Sequence, residues 1–528
     1  MTDLVHTLIF RSADRFADRE ALLYQGRRMD YTALADAVEA ASQALLAAGL
    51  DRGERVAVYL EKRPETVAAL FGAAAAGGVF VPVNPLLKPE QVAYILRDCN
   101  VRILVTSADR LRLLAENLLQ CHDLHTVMVI DPGTSAPPAA HFTVLPWNAT
   151  PAIGIPAAPH RAIDGDMAAI LYTSGSTGKP KGVVLSHRNL VAGAASVSEY
   201  LENTLDDRIL AVLPLSFDYG LSQLTTAFLT GATSVLMNYL LPRDIIGILE
   251  KERITGLAAV PPLWIQLAQL VWPENLALRY LTNSGGAMPR ATLDLLRHRA
   301  PHARVFLMYG LTEAFRSTYL PPDEVEKRPD SIGKAIPNAE VLVLREDGSP
   351  CATGEPGELV HRGALVSMGY WNDPEKTAER FKPVGPLHTG LTIPELAVWS
   401  GDTVRRDEEG FLYFIGRRDD MIKTSGYRVS PTEIEEVVYA TGLVGEAAAL
   451  GIPHPVLGQA IVLVVTPRDG AGLDHDGLLA ACKRDLPAFM LPSRIEPRKE
   501  SLPRNPNGKI DRRSLGQAFQ NLFMDNET

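Results

Sequence analysis

Cysteine is scarce. The 528 residues hold 4 of them, Cys99, Cys121, Cys351 and Cys482, widely spaced and with no C-x-x-C pair. That excludes a disulfide framework and a cysteine-built zinc site, and it fits a reducing compartment. An excess of positive charge is also missing. Lys and Arg number 52 against 62 Asp and Glu, for a net charge of −10. A nucleic-acid binder carries a basic footprint, so nucleic acid is not an expected partner. No long uninterrupted apolar run is present either. The longest, residues 67–83, is mostly alanine and glycine and is broken by Gly72, Gly77-Gly78 and Pro82. It reads as a helix ending at Gly77-Gly78 followed by a strand from Val79, not as a transmembrane segment. The opening residues, Met1-Thr-Asp-Leu-Val-His6, lack a basic region leading into an apolar core. A signal peptide is therefore not expected, and a cytoplasmic location is.

What is present is alternation. Helical patterns at residues 32–48, 65–76 and 88–99 interleave with strand patterns at 55–60, 79–83 and 102–106. The pattern resumes at 209–214, 221–230, 234–236 and 256–260. Short connections between such elements imply parallel sheets covered by helices. The Pro/Ala-rich residues 151–159 read as a surface linker between two lobes. From Ser331 the texture changes to short strands (340–344, 357–361, 411–414) and many turns, which suggests a β-rich subdomain. Gly416-Arg-Arg-Asp-Asp420 is a charged hinge candidate. Beyond it, Ser430-Pro-Thr-Glu433 has the form of a capping box with proline at the first helical position, and strands are expected at 447–452 and 460–466. The expected fold class is α/β and α+β. A large lobe (1–418) combines helix-covered parallel sheets with the β-rich part, and a small mobile α+β lobe (419–528) follows the hinge.

Tyr172-Thr-Ser-Gly-Ser-Thr-Gly-Lys-Pro-Lys-Gly182 concentrates hydroxyls, glycines and lysines just after the apolar residues 167–171. Glycines let the backbone curl so that several N–H groups face one anion. Ser174, Ser176 and Thr177 add hydroxyl donors, and Lys179 and Lys181 add charge. A polyphosphate is the natural guest. The loop is not a P-loop, because Lys179 is followed by Pro180 where that motif needs Ser or Thr. A flexible linker has no need of two lysines behind an apolar strand.

This loop closely resembles the phosphate loop of the AMP-forming adenylating enzymes: acyl-CoA synthetases, peptide-synthetase adenylation domains and luciferases. Other motifs agree in order along nearly the whole chain. The resemblance assigns ATP to Thr173, Ser174, Gly175, Ser176, Thr177, Gly178 and Lys179. In Tyr309-Gly310-Leu-Thr312-Glu313 it implies that Tyr309 stacks on adenine, Thr312 contacts phosphate and Glu313 holds Mg²⁺. An aromatic ring suits a purine, and a carboxylate suits a hard cation. Ser284-Gly285-Gly286-Ala287 would line the adenine and acyl pockets. Asp402, in Trp399-Ser-Gly-Asp402, would accept the ribose hydroxyls, with Arg417 as a ribose or phosphate contact. Asp419 matches the hinge residue. Lys509, in Pro503-Arg-Asn-Pro-Asn-Gly-Lys-Ile-Asp511, matches the catalytic lysine that bridges carboxylate and α-phosphate. Lys423-Thr-Ser-Gly-Tyr-Arg-Val429 resembles the loop of the second step, in which Gly426 lets a pantetheine arm pass and Arg428 answers phosphate. Ser425 departs from the family's frequent basic residue there. The implied cycle makes acyl-AMP and pyrophosphate, rotates the small lobe, and passes the acyl group to a thiol. An ATPase or phosphotransferase would need a γ-phosphate acceptor site, which no motif supplies. Retention of Lys509, Glu313, Asp402 and Arg428 argues against an inactive binding module.

The substrate clue is Leu213-Pro-Leu-Ser-Phe-Asp218-Tyr-Gly-Leu-Ser-Gln223. Fatty-acyl members usually carry histidine here, whereas amino-acid-activating members carry Phe-Asp, whose aspartate pairs with the substrate ammonium. A buried carboxylate needs a cationic partner, and an ammonium would supply one. Alternatively, Asp218 caps a helix from Gly220 or faces water. Arg316 lies within reach of the acyl pocket, where it could answer an acidic group or bond only the backbone. Leu311-Thr-Glu-Ala-Phe-Arg-Ser-Thr-Tyr-Leu-Pro321 and residues 422–433 are similar to exosortase-associated acyl-CoA ligases and to stand-alone ligases that load amino acids onto carrier proteins. No Asp/His-Ser-Leu phosphopantetheine site occurs in the sequence. CoA or a separate carrier protein is the expected acceptor, and a carboxylic or amino acid the expected substrate.

Overall fold

In the computed structural model the residues described are 4–131, 141–147, 158–173, 180–384, 395–417, 421–424, 427–455, 457–468, 472–506 and 508–523, with backbone only at 423, 427 and 428. Most of the linker stretch 151–159 falls outside them.

The small-residue run has a packing reason. Helix Pro64–Ala75 is buried along nearly its whole length and lies against helix Tyr31–Ala47. A Cβ built on Gly72 would come within 2.6 Å of the Ala41 Cβ. Alanine and glycine permit that close approach of two helices, and a larger side chain would force them apart. The helix ends as expected, with Gly77 at φ +86°. Among the described residues no helix is long and apolar enough to cross a membrane.

The alternation builds two large sheets. One has 7 strands, running Thr143–Pro146, Thr126–Ile130, Val101–Ser107, Arg55–Tyr59, Val79–Pro82, Met167–Thr173 and Lys181–Ser186 from edge to edge. Its neighbours are parallel except for the last pair. The other sheet has 14 strands. Its parallel centre holds Thr233–Leu236, Arg208–Ala211, Gly256–Ala259, Tyr280–Asn283 and Arg304–Tyr309. The change of texture at Ser331 is real, but these strands do not form a sheet of their own. Thr318–Leu320 pairs antiparallel with Arg304–Tyr309, and Ser331–Ala335, Leu412–Arg417, Leu396–Arg406, Gly357–Gly363 and Ala339–Leu344 continue the same sheet outward. The short strand Thr318–Leu320 makes the join, a feature too brief to stand out in sequence.

The last part of the chain forms a 5-stranded sheet whose longest pair is Val444–His454 with Gly458–Pro467. Alternate residues feed opposite faces. Ala447, Ala449, Ile461, Leu463 and Val465 join a cluster with Val438 and Leu478, while Leu450, Ile452, Val462 and Val464 join Leu502 and Leu515. Helix Pro431–Ala440 starts at the expected proline. The capping box does not form: Ser430 makes no side-chain cap bond, and its hydroxyl lies 3.1 Å from that of Thr432.

The two lobes touch. The Arg290 N–H donates to Glu436 Oε1 (3.0 Å), Asn84 Nδ2 donates to the Pro506 carbonyl (2.7 Å), and Arg468 bonds Gln269.

Helix Asp218–Thr230 begins hard against the turn before it. A Cβ on Gly220 would sit 2.0 Å from the Pro214 carbonyl oxygen. Gly220→Ala is expected to lower stability by about 1–3 kcal/mol. The measurement is the denaturant midpoint of unfolding; an unchanged midpoint would mean that residues 213–217 yield freely.

Candidate active site

Parallel strands end at a common edge, and the loops that follow them converge outside it. Here Ala259 is in register with Asn283, and Asn283 with Leu307. The loops after these strands therefore carry Ser284, Gly285, Gly286 and Ala287 beside Gly310, Thr312 and Glu313. Gly310 permits a tight turn, since a Cβ there would lie 2.7 Å from the Phe315 carbonyl oxygen. Lys509 enters this cleft from the small lobe. Its Cε is 3.2 Å from where a Cβ on Gly285 would be, and Gly285 has φ +84°. The left-handed backbone is what favours glycine at 285. The Lys509 ammonium lies 6.0 Å from the centre of the Phe217 ring.

Asp218 does not cap its helix and does not face water. It is the first residue of helix Asp218–Thr230, the cap position belongs to Phe217, and its side chain is buried. Thr312 Oγ1 donates to its Oδ1 (3.2 Å) and Arg316 Nη1 to its Oδ2 (3.4 Å). The cation that Asp218 needs is thus present within the chain. Arg316 bonds the Asp218 side chain and not only the backbone. Burial pushes the Asp218 carboxyl above the usual carboxylate range, opposed by Arg316, Lys509 and the Thr312 hydroxyl. The Arg316 guanidinium lies 4.1 Å from the centre of the Tyr219 ring.

A second buried carboxylate sits opposite. Asp402 accepts the Tyr309 hydroxyl and Arg417 Nε (3.0 Å), and it faces Arg417 across two paired strands. Burial raises its pKa, with Arg417 the chief opposing influence. Tyr309 is stacked on His361, ring centres 6.0 Å apart and planes 14° apart. Burial pushes His361 down to about 3, so the supporting ring is neutral.

The phosphate loop spans a hairpin, not a strand-to-helix turn. Met167–Thr173 pairs antiparallel with Lys181–Ser186, and Thr173 faces Lys181. Its base is held from helix Pro89–Asp98: the Tyr172 hydroxyl donates to Asp98 (2.6 Å), and the Tyr94 hydroxyl to the Pro180 carbonyl (3.2 Å). Residues 368–371 bond the outer edge of Lys181–Ser186, through Met368 N–H to the Val184 carbonyl and Trp371 N–H to the Gly182 carbonyl. From that segment the Tyr370 hydroxyl donates to Glu313 Oε1 (2.6 Å). The loop tip with Ser174, Gly175, Ser176, Thr177, Gly178 and Lys179, the hinge residue Asp419, Gly426 and the Arg428 side chain lie outside the described residues. Among those described, no three His, Cys, Asp or Glu side chains group as a metal site.

The cleft combines a hairpin loop suited to phosphate, an aromatic ring beside a hydroxyl-accepting carboxylate, and a lysine delivered from a second lobe. The model of the AMP-binding enzyme family matches residues 9–371, and that of the AMP-binding enzyme C-terminal domain matches residues 433–509. The chain belongs to the AMP-binding enzymes. Sulfoacetate–CoA ligase of Cupriavidus necator is 33% identical over 97% of each chain. A linear gramicidin synthase of Brevibacillus parabrevis is 30% identical over 97% of this chain, which spans 6% of that protein. ATP-bound MatB of Rhodopseudomonas palustris superposes with a TM-score of 0.84 at 26% identity, covering 99% of this chain and 100% of its own. This AMP-binding enzyme is an ATP-dependent, AMP-forming acid–thiol ligase that works through an acyl-adenylate.

Three residues of the cleft carry no signal in sequence. Tyr370, His361 and Asn84 are far from every motif in the chain and adjacent to one only after folding. Tyr370 lies in Ser367-Met-Gly-Tyr-Trp371, a stretch with no charge to draw notice.

Burial lowers the Lys509 pKa from 10.5, with Asp218, Asp402 and Glu313 opposing the shift. Lys62, whose ammonium donates to the Val212 carbonyl, falls to about 8. A lowered pKa means loss of the proton earlier as pH rises. With lysines carrying ¹³C-methyl labels, NMR titration is expected to show early resonances for Lys62 and Lys509, the latter lost in Lys509→Arg. If the Lys509 resonance titrates with the exposed lysines, the ammonium is not desolvated in the cleft.

Proposed function

We propose that this AMP-binding enzyme activates an amino acid and passes the aminoacyl group to the phosphopantetheine thiol of a carrier protein or of CoA. The observation that carries the reading is the Asp218 carboxylate, buried and bonded to Thr312 of the Tyr309–Glu313 motif. An ionised carboxylate accepts about four hydrogen bonds. Among the described residues Asp218 receives two, at 3.2 and 3.4 Å, which leaves acceptor capacity that an ammonium would use. The peptide-synthetase adenylation domains among the relatives support an amino-acid substrate.

The residue roles are those that the family resemblance implies, and the chemistry of the side chains supports them. Lys509 bridges the reacting carboxylate and the α-phosphate and stabilises charge during in-line attack. The phosphate hairpin and Thr312 hold the polyphosphate, Tyr309 stacks the adenine, and Asp402 with Arg417 holds the ribose. Ser284, Gly285, Gly286 and Ala287 line the adenine and acyl pockets. Residues 1–418 form the ATP and acyl lobe, and residues 419–528 the lobe that turns about Asp419 for the thiol step, with Gly426 and Arg428 on its loop. A single carboxylate suits Mg²⁺, which is usually bound through one or two protein carboxylates plus phosphate oxygens and water. Glu313 fits that pattern, and Tyr370 orients it. The ion would neutralise phosphate charge.

A second reading rests on Arg316. Because it already answers Asp218, the pocket can hold an acid without nitrogen, and the enzyme is then an acyl-CoA ligase for such acids. The sulfoacetate–CoA ligase relative supports this alternative.

Pyrophosphate exchange with amino acids and their deaminated counterparts separates the two, followed by mass measurement of thioester on CoA or on holo carrier proteins. Exchange confined to amino acids is expected, and Asp218→Asn is expected to cost about 10–100-fold in kcat/KM through lost charge pairing. Equal exchange without the amine would overturn the amino-acid reading. Lys509→Ala should abolish exchange in either case while leaving the fold intact.

Tyr370→Phe removes the donor to Glu313. It is expected to raise the Mg²⁺ concentration for half-maximal exchange by about 10-fold, the usual scale for losing a group that orients a metal ligand. A purely packing role would leave the Mg²⁺ dependence unchanged.

A further inference from the structure

Arg316 is 2% exposed, and its five N–H donors keep their positive charge. Nη1 bonds Asp218. Nε and Nη2 have no acceptor among the described residues. The Tyr219 ring attracts the face of the guanidinium, but N–H groups lie in the guanidinium plane and cannot all donate to a ring beneath it. Buried charged donors without acceptors are costly and call for a partner. Two hydroxyls nearby in the chain share the condition: Ser216 Oγ, two residues before Asp218, and Ser317 Oγ, next to Arg316. Phe315, just before Arg316, holds φ +56° and ψ −85°, a conformation unusual for an aromatic residue. The turn therefore accepts strain where it delivers Arg316 inward.

Charge balance narrows the ligand. Asp218 and Arg316 cancel one another. An ammonium arriving at Asp218 leaves one buried positive charge unanswered, and a second anionic group on the same molecule restores neutrality. The reacting carboxylate has Lys509 for its own partner. We propose that Arg316 is a specificity residue, its Nε and Nη2 binding a carboxylate on the substrate's side chain, so that the acid activated is an amino acid with an acidic side chain. This rests on the amino-acid reading above. Planar, paired donors match a carboxylate better than any neutral acceptor.

The test is pyrophosphate exchange by the unmodified enzyme with four acids that cross the two features: aspartate, 2-aminobutyrate, succinate and butyrate, with glutamate added for a longer reach. The expected result is a kcat/KM for aspartate or glutamate about 100-fold or more above that for 2-aminobutyrate, because a site built for a polar group rejects the analogue that lacks it. Arg316→Gln should collapse that ratio, and the double variant Asp218→Asn with Arg316→Gln, which leaves no buried charge unpaired, should do the same. Equal use of 2-aminobutyrate and the acidic amino acids overturns the role of Arg316 and leaves the amino-acid reading standing. Succinate used as well as aspartate, and both above butyrate, supports Arg316 and overturns the amino-acid reading. Butyrate used best overturns both. A preference for acidic amino acids that survives both variants also overturns the assignment to Arg316.

Discussion

Buried charge that must be answered without water is the constraint on which this cleft depends. Asp218 and Asp402 are both buried, and burial raises the pKa of each carboxyl. Each is met by an arginine and a hydroxyl: Arg316 and Thr312 for the first, Arg417 and Tyr309 for the second. Lys509 feels the charge of both. Breaking such an arrangement at one residue leaves its partner buried and unpaired, which commonly costs about 3–5 kcal/mol.

The same economy of contacts explains how two sheets share one site. Residues 368–371 bond the edge of Lys181–Ser186 in the 7-strand sheet, and Tyr370 bonds Glu313, which follows a central strand of the 14-strand sheet. The base of the phosphate hairpin and the acidic residue opposite it are thereby fixed to one another. The loop joins two antiparallel strands, so a strand and not a helix follows it. Lys181, with its ammonium 5.4 Å from the Tyr370 ring, belongs to both parts.

Much of the fold is legible along the chain, since the expected helices at 32–48, 65–76 and 88–99 lie within one or two residues of those observed. Apolar periodicity and glycine stops are local signals, and these elements obey them. The β-rich part of the large lobe after Ser331 is legible from its texture, while its join to the preceding sheet through the brief strand Thr318–Leu320 is not. The Ser430 box fails for a related reason: its pattern is right, but the Ser430 hydroxyl is turned to Thr432.

Residue order by itself determined the chemistry on offer: a glycine and hydroxyl loop for phosphate, an aromatic with a carboxylate after a strand, and a lysine in a proline- and glycine-bounded turn. These are short-range properties, set by backbone freedom and by the groups carried within a few residues. Only tertiary structure decided which charges meet. Asp218 finds Arg316 98 positions away, Asp402 finds Tyr309 93 away, and Glu313 finds Tyr370 57 away. Asp218 alone reads as a carboxylate waiting for a substrate's ammonium, and beside Arg316 it becomes half of an ion pair. The physical reason is that the sign and strength of a buried charge's environment come from whichever side chains packing brings within a few ångströms, and local sequence does not encode that distance.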